Sequence, residues 1–391
     1  MEFNINRTQQ HIRNFERCIS LYEQHEPFAR FLTTFYKTNK QMGSSDRRMN
    51  NRLCYNFFRI GKAFSSLNHV ERLVIAEFLC STASAVVALH KPEWLDVMES
   101  AIEDKILVIE SNYGPFMEDV FPGVRHLSDQ LDKVPFISSH FIQPNLFIRV
   151  QKDKVAAVIN EFTKQGIDFE QIGSTTFSLS NGTKLQDLNK INGYYEVQDL
   201  SSQQTSEFIP IEAKQSWWDC CAASGGKSLM ILDKEPNIKL MVSDIRPSIL
   251  RNLDERFEQA AVKTYYRKKI LDLSQAVDHI MQGERFDGIL LDAPCTGSGT
   301  WGRTPESLSS FDVNSIIKFQ DLQKKIALNS TTYLRSGKSL IYITCSVFKE
   351  ENEQVVDYII NELGFELMSM NYLKGYQQCA DSMFIARLQK P

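Results

Sequence analysis

Apolar residues recur at intervals of three and four through the first third of this 391-residue chain. The pattern is clear from Ile12 to Tyr22, from Phe28 to Tyr36, from Leu53 to Ile60 and from Val70 to Leu79. Such spacing gathers apolar side chains on one face of a helix. Strand patterns are absent there, so we expect an all-helical domain over residues 1–135.

The pattern changes after residue 143. Alternation from Pro144 to Val150 predicts a strand, and the spacing from Lys152 to Gly166 predicts a helix that ends at a glycine. Short strand-like pieces separated by turn residues follow. Residues 136–205 are therefore expected to form a small α/β module.

From residue 206 to residue 391, short apolar runs of strand length alternate with helical patterns. This order predicts an α/β domain built on a doubly wound parallel sheet. The predicted strands are Ser216 to Cys221, Lys239 to Asp244, Lys263 to Lys269, Phe286 to Asp292, Leu340 to Thr344, Phe365 to Met370 and Met383 to Leu388.

Two of these strands end in residues with reactive side chains. Asp292 and Cys295 follow one strand, and Cys345 follows another. Carboxyl ends of parallel strands meet at the edge of the sheet where ligands bind. Either strand, taken alone, is more typical of a core strand that happens to end in cysteine than of a reactive site. Together, two thiols and one carboxylate at one edge favour covalent chemistry.

A glycine-bearing turn follows the first strand of this domain and opens a helix. Its residues, Cys221, Ala222, Ala223, Ser224, Gly225, Gly226 and Lys227, are candidates for binding a cofactor. A phosphate loop would need glycine at position 221, and the GxGxxG pattern of dinucleotide folds is also absent. The turn therefore suits a ligand without phosphates.

Asp244 and Asp272 follow the next two predicted strands. Asp244 could accept hydrogen bonds from two ribose hydroxyls, and Asp272 could accept one from an adenine amine. Two such acids and no phosphate clamp favour S-adenosylmethionine. Taken singly, each acid is more typical of a solvated loop or a helix cap.

The amino-acid composition is that of an ordinary globular protein. Apolar residues make up 42% and charged residues 24% of the chain, as in ordinary globular proteins. The polar stretch from Met1 to Arg13 lacks the apolar segment of a signal peptide, and no run approaches the ~20 residues of a membrane span. The eight cysteines lack CxxC spacing, so we expect reduced thiols, no bound metal and a cytoplasmic location.

Charge is unevenly distributed although the net charge is only -4. Residues 1–62 carry a balance of +6, and residues 63–135 carry -7. Four arginines on one predicted helix, Arg47, Arg48, Arg52 and Arg59, are candidates for RNA phosphate contacts. The alternative is structural: Arg52 and Arg59 would pair with the acidic segment from Glu93 to Glu110.

Several motifs together resemble the RsmB/NOP/Sun family of RNA cytosine-5 methyltransferases. They cover about residues 136–391, in the order of that family, and the segment 42–59 is similar to NusB-like RNA-binding helical domains. The motifs are Gln198-Asp199, Ser201-Ser202, Asp219, Cys221 to Lys227, Asp244, Asp292 to Gly299, Thr344-Cys345-Ser346 and Glu351-Asn352-Glu353.

The resemblance implies a Rossmann-like class I methyltransferase domain with a NusB-like N-terminal domain. It also implies an S-adenosylmethionine-dependent enzyme that forms 5-methylcytosine in RNA, most simply in 16S ribosomal RNA. Cys345 would be the nucleophile and Cys295 would assist its release. Asp292 would act on the base and would also border the cofactor, and Lys227 would orient either Asp292 or the base.

Three departures from the family pattern concern Ser224 and Lys349, which replace prolines, and Trp301-Gly302-Arg303, which replaces a more basic stretch. The last leaves the identity of the RNA open. A tRNA substrate and a non-catalytic ribosome-assembly factor of the same fold remain as alternatives. We expect a monomer.

Overall fold

The computed structural model describes residues 4–391, and these form two compact units. The helical unit contains the chain up to Arg125 together with residues 132–143 and 301–313. The sheet unit contains residues 126–131, 144–300 and 314–391. The predicted division at residues 135 and 205 thus stays a prediction. Three short segments, 126–131, 136–143 and 301–313, belong to the unit other than the one expected.

The regular elements described in the helical unit are all helices, as the apolar spacing predicts. The first helix begins after Asn4, whose side chain accepts a hydrogen bond from the Arg7 amide at 3.0 Å, and buries Phe15. The α-helices are Ile5–Ser20, Phe28–Thr38, Ser44–Arg59, His69–Cys80, Ala85–His90, Ile102–Tyr113, Met117–Val120, Lys133–Ser139 and Glu306–Ser310.

Among the described residues 144–197, four short strands form an antiparallel sheet with the order β2-β3-β1-β4. The helix Val155–Gln165 ends at Gly166, which adopts the left-handed conformation that stops a helix. The strands are β1 Leu146–Val150, β2 Phe169–Gln171, β3 Thr176–Leu179 and β4 Tyr195–Val197.

The larger sheet has the order β10-β11-β9-β8-β5-β6-β7, counted over the described residues. Its strands are β5 Ser216–Asp219, β6 Lys239–Asp244, β7 Tyr266–Ile270, β8 Phe286–Asp292, β9 Leu334–Thr344, β10 Glu366–Leu373 and β11 Met383–Gln389. Strands β5, β6, β7, β8 and β9 are parallel to one another, whereas β11 runs antiparallel to both of its neighbours, β9 and β10.

The Rossmann-like class is therefore confirmed, with one correction at its C-terminal end. A parallel strand needs a long crossover, whereas the short connection between β10 and β11 permits an antiparallel pair. Apolar clusters cover both faces of the sheet, and the adjacent residues Trp217 and Trp218 of β5 point into opposite ones.

The remaining α-helices in the sheet unit are Leu200–Gln204, Gly226–Lys234, Pro247–Gln259, Asp278–Met281, Ser315–Thr331 and Glu353–Asn361. Short 3-10 helices are Pro92–Val97, Val124–His126, Lys152–Lys154, Leu185–Asp187, Asn189–Ile191, Thr205–Phe208, Ser298–Thr300 and Gly375–Gln378. None of the helices in the described part of the chain is long and apolar enough to cross a membrane.

Candidate active site

A cavity of about 550 Å³ lies at the carboxyl ends of the parallel strands. This is the edge at which an open α/β sheet binds its ligands. Its lining residues are Cys220, Cys221, Ala223, Asp244, Ile245, Arg246, Leu271, Asp272, Leu273, Ser274, Asp292, Ala293, Pro294, Cys295, Leu322, Ile326 and Cys345.

The structure brings the two predicted thiols into contact. Strands β8 and β9 are parallel neighbours, and Asp292 at the end of β8 is in register with Ile343 of β9. The loops that follow place the Sγ atoms of Cys295 and Cys345 3.4 Å apart, and both side chains are half-buried. Asp292 borders the same cavity.

The two thiols are not equivalent. The contact with the Cys345 sulfur, together with burial, raises the pKa of Cys295 well above its ordinary value. In the contact between the two sulfurs, either thiol can be the hydrogen-bond donor.

Lys227 lies beside Asp292, as expected of a residue that orients it. Its ammonium is 3.5 Å from the Asp292 Oδ2 atom and donates a hydrogen bond to the Ser202 hydroxyl at 2.7 Å. The lysine is buried. A buried lysine side chain with two polar partners is fixed in place next to the carboxylate.

The glycine turn contributes only part of its predicted set to the cavity. Cys221 and Ala223 line it, whereas Ala222, Ser224, Gly225, Gly226 and Lys227 are not among its lining residues. Gly225 has a φ of +82°, and a Cβ there would approach the Leu253 side chain to 2.8 Å. This glycine therefore shapes the turn and its packing on the neighbouring helix.

Asp244 is buried at the end of β6, and its carboxylate accepts a hydrogen bond from the Ala223 amide at 3.1 Å. The exposed Arg246 side chain also covers it, with Nε 3.0 Å from Oδ1. Asp272 is exposed at the cavity rim and accepts a hydrogen bond from the Ser274 amide at 3.0 Å. Both acids border the cavity, as the strand pattern predicts.

Sequence reasoning missed the apolar wall of the cavity and Arg246. Ile245, Leu271 and Leu273 are adjacent in sequence to the two predicted acids, Asp244 and Asp272. Their position next to these acids could have indicated that they line the cavity. Leu322 and Ile326 come from the helix Ser315–Thr331. Their place at the cavity depends on tertiary packing, which no local pattern indicated.

The four predicted RNA-contacting arginines differ in the structure. Arg59 is only 2% exposed, and its guanidinium donates to the backbone carbonyl of His140 at 2.8 Å. The prediction that Arg59 contacts phosphate is wrong, because a buried guanidinium that holds a carbonyl cannot reach an RNA backbone.

Arg52 contacts the buried carboxylate of Glu77 at 2.9 Å and the Ala83 carbonyl at 2.7 Å. The alternative that Arg52 and Arg59 pair with the segment from Glu93 to Glu110 is wrong as well, since these partners lie elsewhere.

Arg48 is exposed, and Arg47 donates to the Met42 carbonyl while its guanidinium lies over the ring of Tyr36. These two arginines stay candidates for contact with RNA.

The departures from the family pattern have structural roles. Ser224 accepts a hydrogen bond from Arg256 at 2.7 Å. The Lys349 amide donates to the His126 carbonyl at 2.9 Å, a bond that proline could not make. Trp301 is buried in the helical unit, with its ring 5.2 Å from that of Phe121. These positions are therefore used for local packing and hydrogen bonding.

The described residues contain no cluster of histidine, cysteine, aspartate and glutamate suited to holding a metal ion. The site consists instead of two thiols in contact, a carboxylate paired with a buried ammonium, and a cavity with two further acids at its border. This combination defines a class of α/β protein equipped for nucleophilic thiol chemistry on a ligand beside a nucleoside-sized cavity.

Comparison with known families agrees with this class. Residues 208–388 match the family described as 16S rRNA methyltransferase RsmB/F. Over this region, just under half of its length, the chain is similar to the RsmB/F methyltransferase family.

Curated relatives match the chain over lengths that differ from one relative to another. Ribosomal RNA small subunit methyltransferase B of Shewanella oneidensis is 32% identical over 166 residues, which are 42% of this chain and 38% of the relative. The protein of the same name in Xanthomonas campestris is 26% identical over 280 residues, 67% of this chain and 63% of the relative. The chain thus matches about two fifths of the length of the first of these relatives.

Solved structures share the fold at low identity. The crystal structure of PH0851 superposes with a TM-score of 0.73 at 19% identity and covers all of both chains. NSun6 from Pyrococcus horikoshii with SFG has a TM-score of 0.59 at 17% identity, covering 68% of this chain and 96% of that one.

Proposed function

We propose that this chain is an S-adenosylmethionine-dependent RNA methyltransferase that forms 5-methylcytosine in ribosomal RNA. The observation that carries the proposal is the contact between the Cys295 and Cys345 thiols at a cavity that Asp292 also borders. The ribosomal substrate is supported by the names of the curated relatives.

The cavity fits the cofactor by its donor set. Asp244 and Asp272 offer carboxylate oxygens to ribose hydroxyls and to an amine, and Ile245, Leu271 and Leu273 offer an apolar wall to a flat ring. Among the described lining residues the one cation is Arg246, which is already paired with Asp244. A nucleoside without phosphates therefore suits this cavity better than a nucleotide.

The chemistry needs a nucleophile because cytosine C5 is too weakly nucleophilic to take a methyl group directly. Addition of the Cys345 thiolate to C6 forms an S–C6 bond and moves electron density to C5. Asp292, held by Lys227, hydrogen-bonds or protonates N3 and stabilises the charge that the addition creates. The bound cofactor supplies the methyl group.

Release then requires a base to take the C5 proton. The C5–H electron pair re-forms the C5=C6 double bond, and the S–C6 bond breaks with its electron pair returning to the Cys345 sulfur. We assign assistance in this release to Cys295, whose thiol touches Cys345. The raised pKa of Cys295 supports the assignment, because a protonated thiol is a poor nucleophile and leaves attack to Cys345. The target base must leave its stack to be reached from both sides, so unpaired or flipped RNA is implied.

The two thiols should have different phenotypes. Cys345→Ala is expected to abolish both methylation and covalent capture of RNA. Cys295→Ala is expected to leave an RNA-protein adduct that survives denaturing gels, because attack proceeds while release fails. Gel electrophoresis with labelled RNA and cofactor measures both. An adduct with Cys345→Ala and none with Cys295→Ala would reverse the two roles.

The reaction itself is tested by tritium release from C5-labelled cytosine RNA, with ribosomal RNA and tRNA as separate substrates. Release from ribosomal RNA supports the proposal, and release from tRNA alone would move the substrate to tRNA. No release from either by wild-type protein with bound cofactor would favour the non-catalytic assembly factor.

A further inference from the structure

Glu351 lies beyond the end of β9, and its side chain is completely buried. Its carboxylate accepts hydrogen bonds from the Thr296 amide at 2.9 Å, from the hydroxyls of Thr296 and Ser346, and from the Gln323 side-chain amide at 3.1 Å. Each of these partners donates. A carboxylate is the side-chain group that can accept all four bonds without offering a donor of its own.

The partners of Glu351 are the immediate neighbours of the two thiols. Thr296 follows Cys295 in sequence, and Ser346 follows Cys345. One carboxylate thus joins the loop after β8 to the loop after β9 directly beside the sulfur contact of 3.4 Å.

Gln323 extends the same connection. Its side-chain amide also donates to the carbonyl of Pro294 at 3.0 Å, on the other side of Cys295. The Cys295 loop is therefore held on both sides of the thiol, once by Glu351 and once by Gln323.

Glu351 is itself fixed. The Tyr342 hydroxyl donates to its backbone carbonyl at 2.6 Å. The next residue, Asn352, accepts a hydrogen bond from Thr344 and donates to the Ser346 carbonyl at 2.9 Å. We call Glu351 and its four hydrogen bonds the clamp. Because Tyr342 and Thr344 belong to β9, the clamp is anchored on that strand and is not free to follow a loop that moves.

We infer that Glu351 is a positioning residue that holds the Cys295 and Cys345 thiols in contact. Burial raises the pKa of Glu351. A protonated carboxyl group would present an O–H donor to partners that are themselves donors, so the ionised form is the one that fits these four hydrogen bonds. The catalytic consequence rests on the proposed function, whereas the geometric consequence does not.

The two consequences are measured separately on the purified full chain. In the first measurement, reduced protein is equilibrated with glutathione buffers. Two protein thiols and one glutathione disulfide then give one protein disulfide and two glutathione thiols. Peptide mass spectrometry quantifies the Cys295–Cys345 disulfide, and its equilibrium constant reports how closely the thiols are held.

Glu351→Gln keeps the shape of the side chain but removes one acceptor oxygen and the charge. We expect the equilibrium constant to fall by roughly tenfold, the effect of losing about one hydrogen bond to a charged group. Thr296→Val, which removes one of the four donors, should change it in the same direction. The loops stay joined by the Gly299 amide, which donates to the Cys345 carbonyl at 2.8 Å, so we expect the variants to fold.

Glu353→Gln is the matched control. Its carboxylate accepts from the hydroxyls of Ser128 and Tyr372 and touches neither residue next to the thiols. The control should leave the equilibrium constant within about twofold of wild type. An equal fall in both glutamate variants, or a wild-type protein that forms no Cys295–Cys345 disulfide, would overturn the inference.

The second measurement is the single-turnover rate of methyl transfer at saturating cofactor. Glu351→Gln should slow this rate by roughly tenfold while the cofactor dissociation constant stays unchanged, because the clamp contacts no lining acid of the cavity. A wild-type protein that methylates no RNA would refute the proposed function, and the glutathione equilibrium would still decide the role of Glu351.

Discussion

Asp219 is a fully buried carboxyl group at the end of β5. Its Oδ2 accepts a hydrogen bond from the Ser228 hydroxyl at 2.6 Å, and its Oδ1 has no hydrogen-bond partner. Burial raises the pKa of Asp219 to about 7. The neutral acid is therefore the form that the folded protein favours below neutral pH.

This residue should make stability depend on pH. Since the folded pKa exceeds the unfolded one, the stabilisation is fully present below about pH 4 and is lost as pH rises to about 7. Asp219→Asn removes the titrating group. The variant should match wild type near pH 4 and exceed its free energy of unfolding by up to about 4 kcal/mol near pH 8.

Urea unfolding of both proteins across this pH range measures the difference. A constant difference between the variant and wild type at all pH values would show that the pKa of Asp219 is the same in the folded and unfolded states, contrary to the expectation.

At the scale of elements, the turn from Cys221 to Gly226 depends on Gly225 for two separate reasons. Its φ of +82° strains any side chain, and a Cβ would approach the Leu253 and Phe257 side chains to 2.8 Å. Gly182 shares the first reason but not the second, since its φ is +89° and no atom lies within 4 Å of the added Cβ. The pair therefore separates backbone strain from packing.

Gly182→Ala should lower the free energy of unfolding by about 1 kcal/mol through strain alone. Gly225→Ala should lower it by about 2 to 4 kcal/mol, because overpacking adds to the same strain. Thermal or urea unfolding of both variants measures this. Equal losses in the two would show that the helix Pro247–Gln259 yields to the added methyl group.

At the scale of the whole molecule, RNA affinity should draw on arginines in the helical unit. Arg48 is exposed and Arg47 partly so, whereas Arg59 is buried on a backbone carbonyl. If Arg47 and Arg48 contact phosphates, Arg47→Gln with Arg48→Gln should reduce the logarithmic salt dependence of RNA binding by about 1.4 to 1.8.

Arg59→Gln is the contrasting variant. It should lower the melting temperature, because it leaves the His140 carbonyl without its donor, and it should not change the salt dependence. Binding at several salt concentrations together with thermal unfolding separates the two effects. An unchanged slope in the Arg47 and Arg48 double variant would remove these arginines from the RNA interface.

The sequence by itself determined the helical or α/β character of each region and the chemistry at the strand ends. Apolar spacing and turn residues are local properties, so they predicted the helical unit, the alternating α/β unit and the placing of Asp244, Asp272 and Asp292 at strand ends. Cys295 and Cys345 were recognisable as a pair because parallel neighbours end at one edge.

Only the tertiary structure decided which groups meet. The antiparallel β11, the burial of Arg59 and the apolar wall from Leu322 and Ile326 depend on how distant segments pack. The same holds for Glu351, which the sequence presents as one acid in a motif. Its four donors come from three segments of the chain, and such convergence has no periodicity or spacing by which a sequence could reveal it.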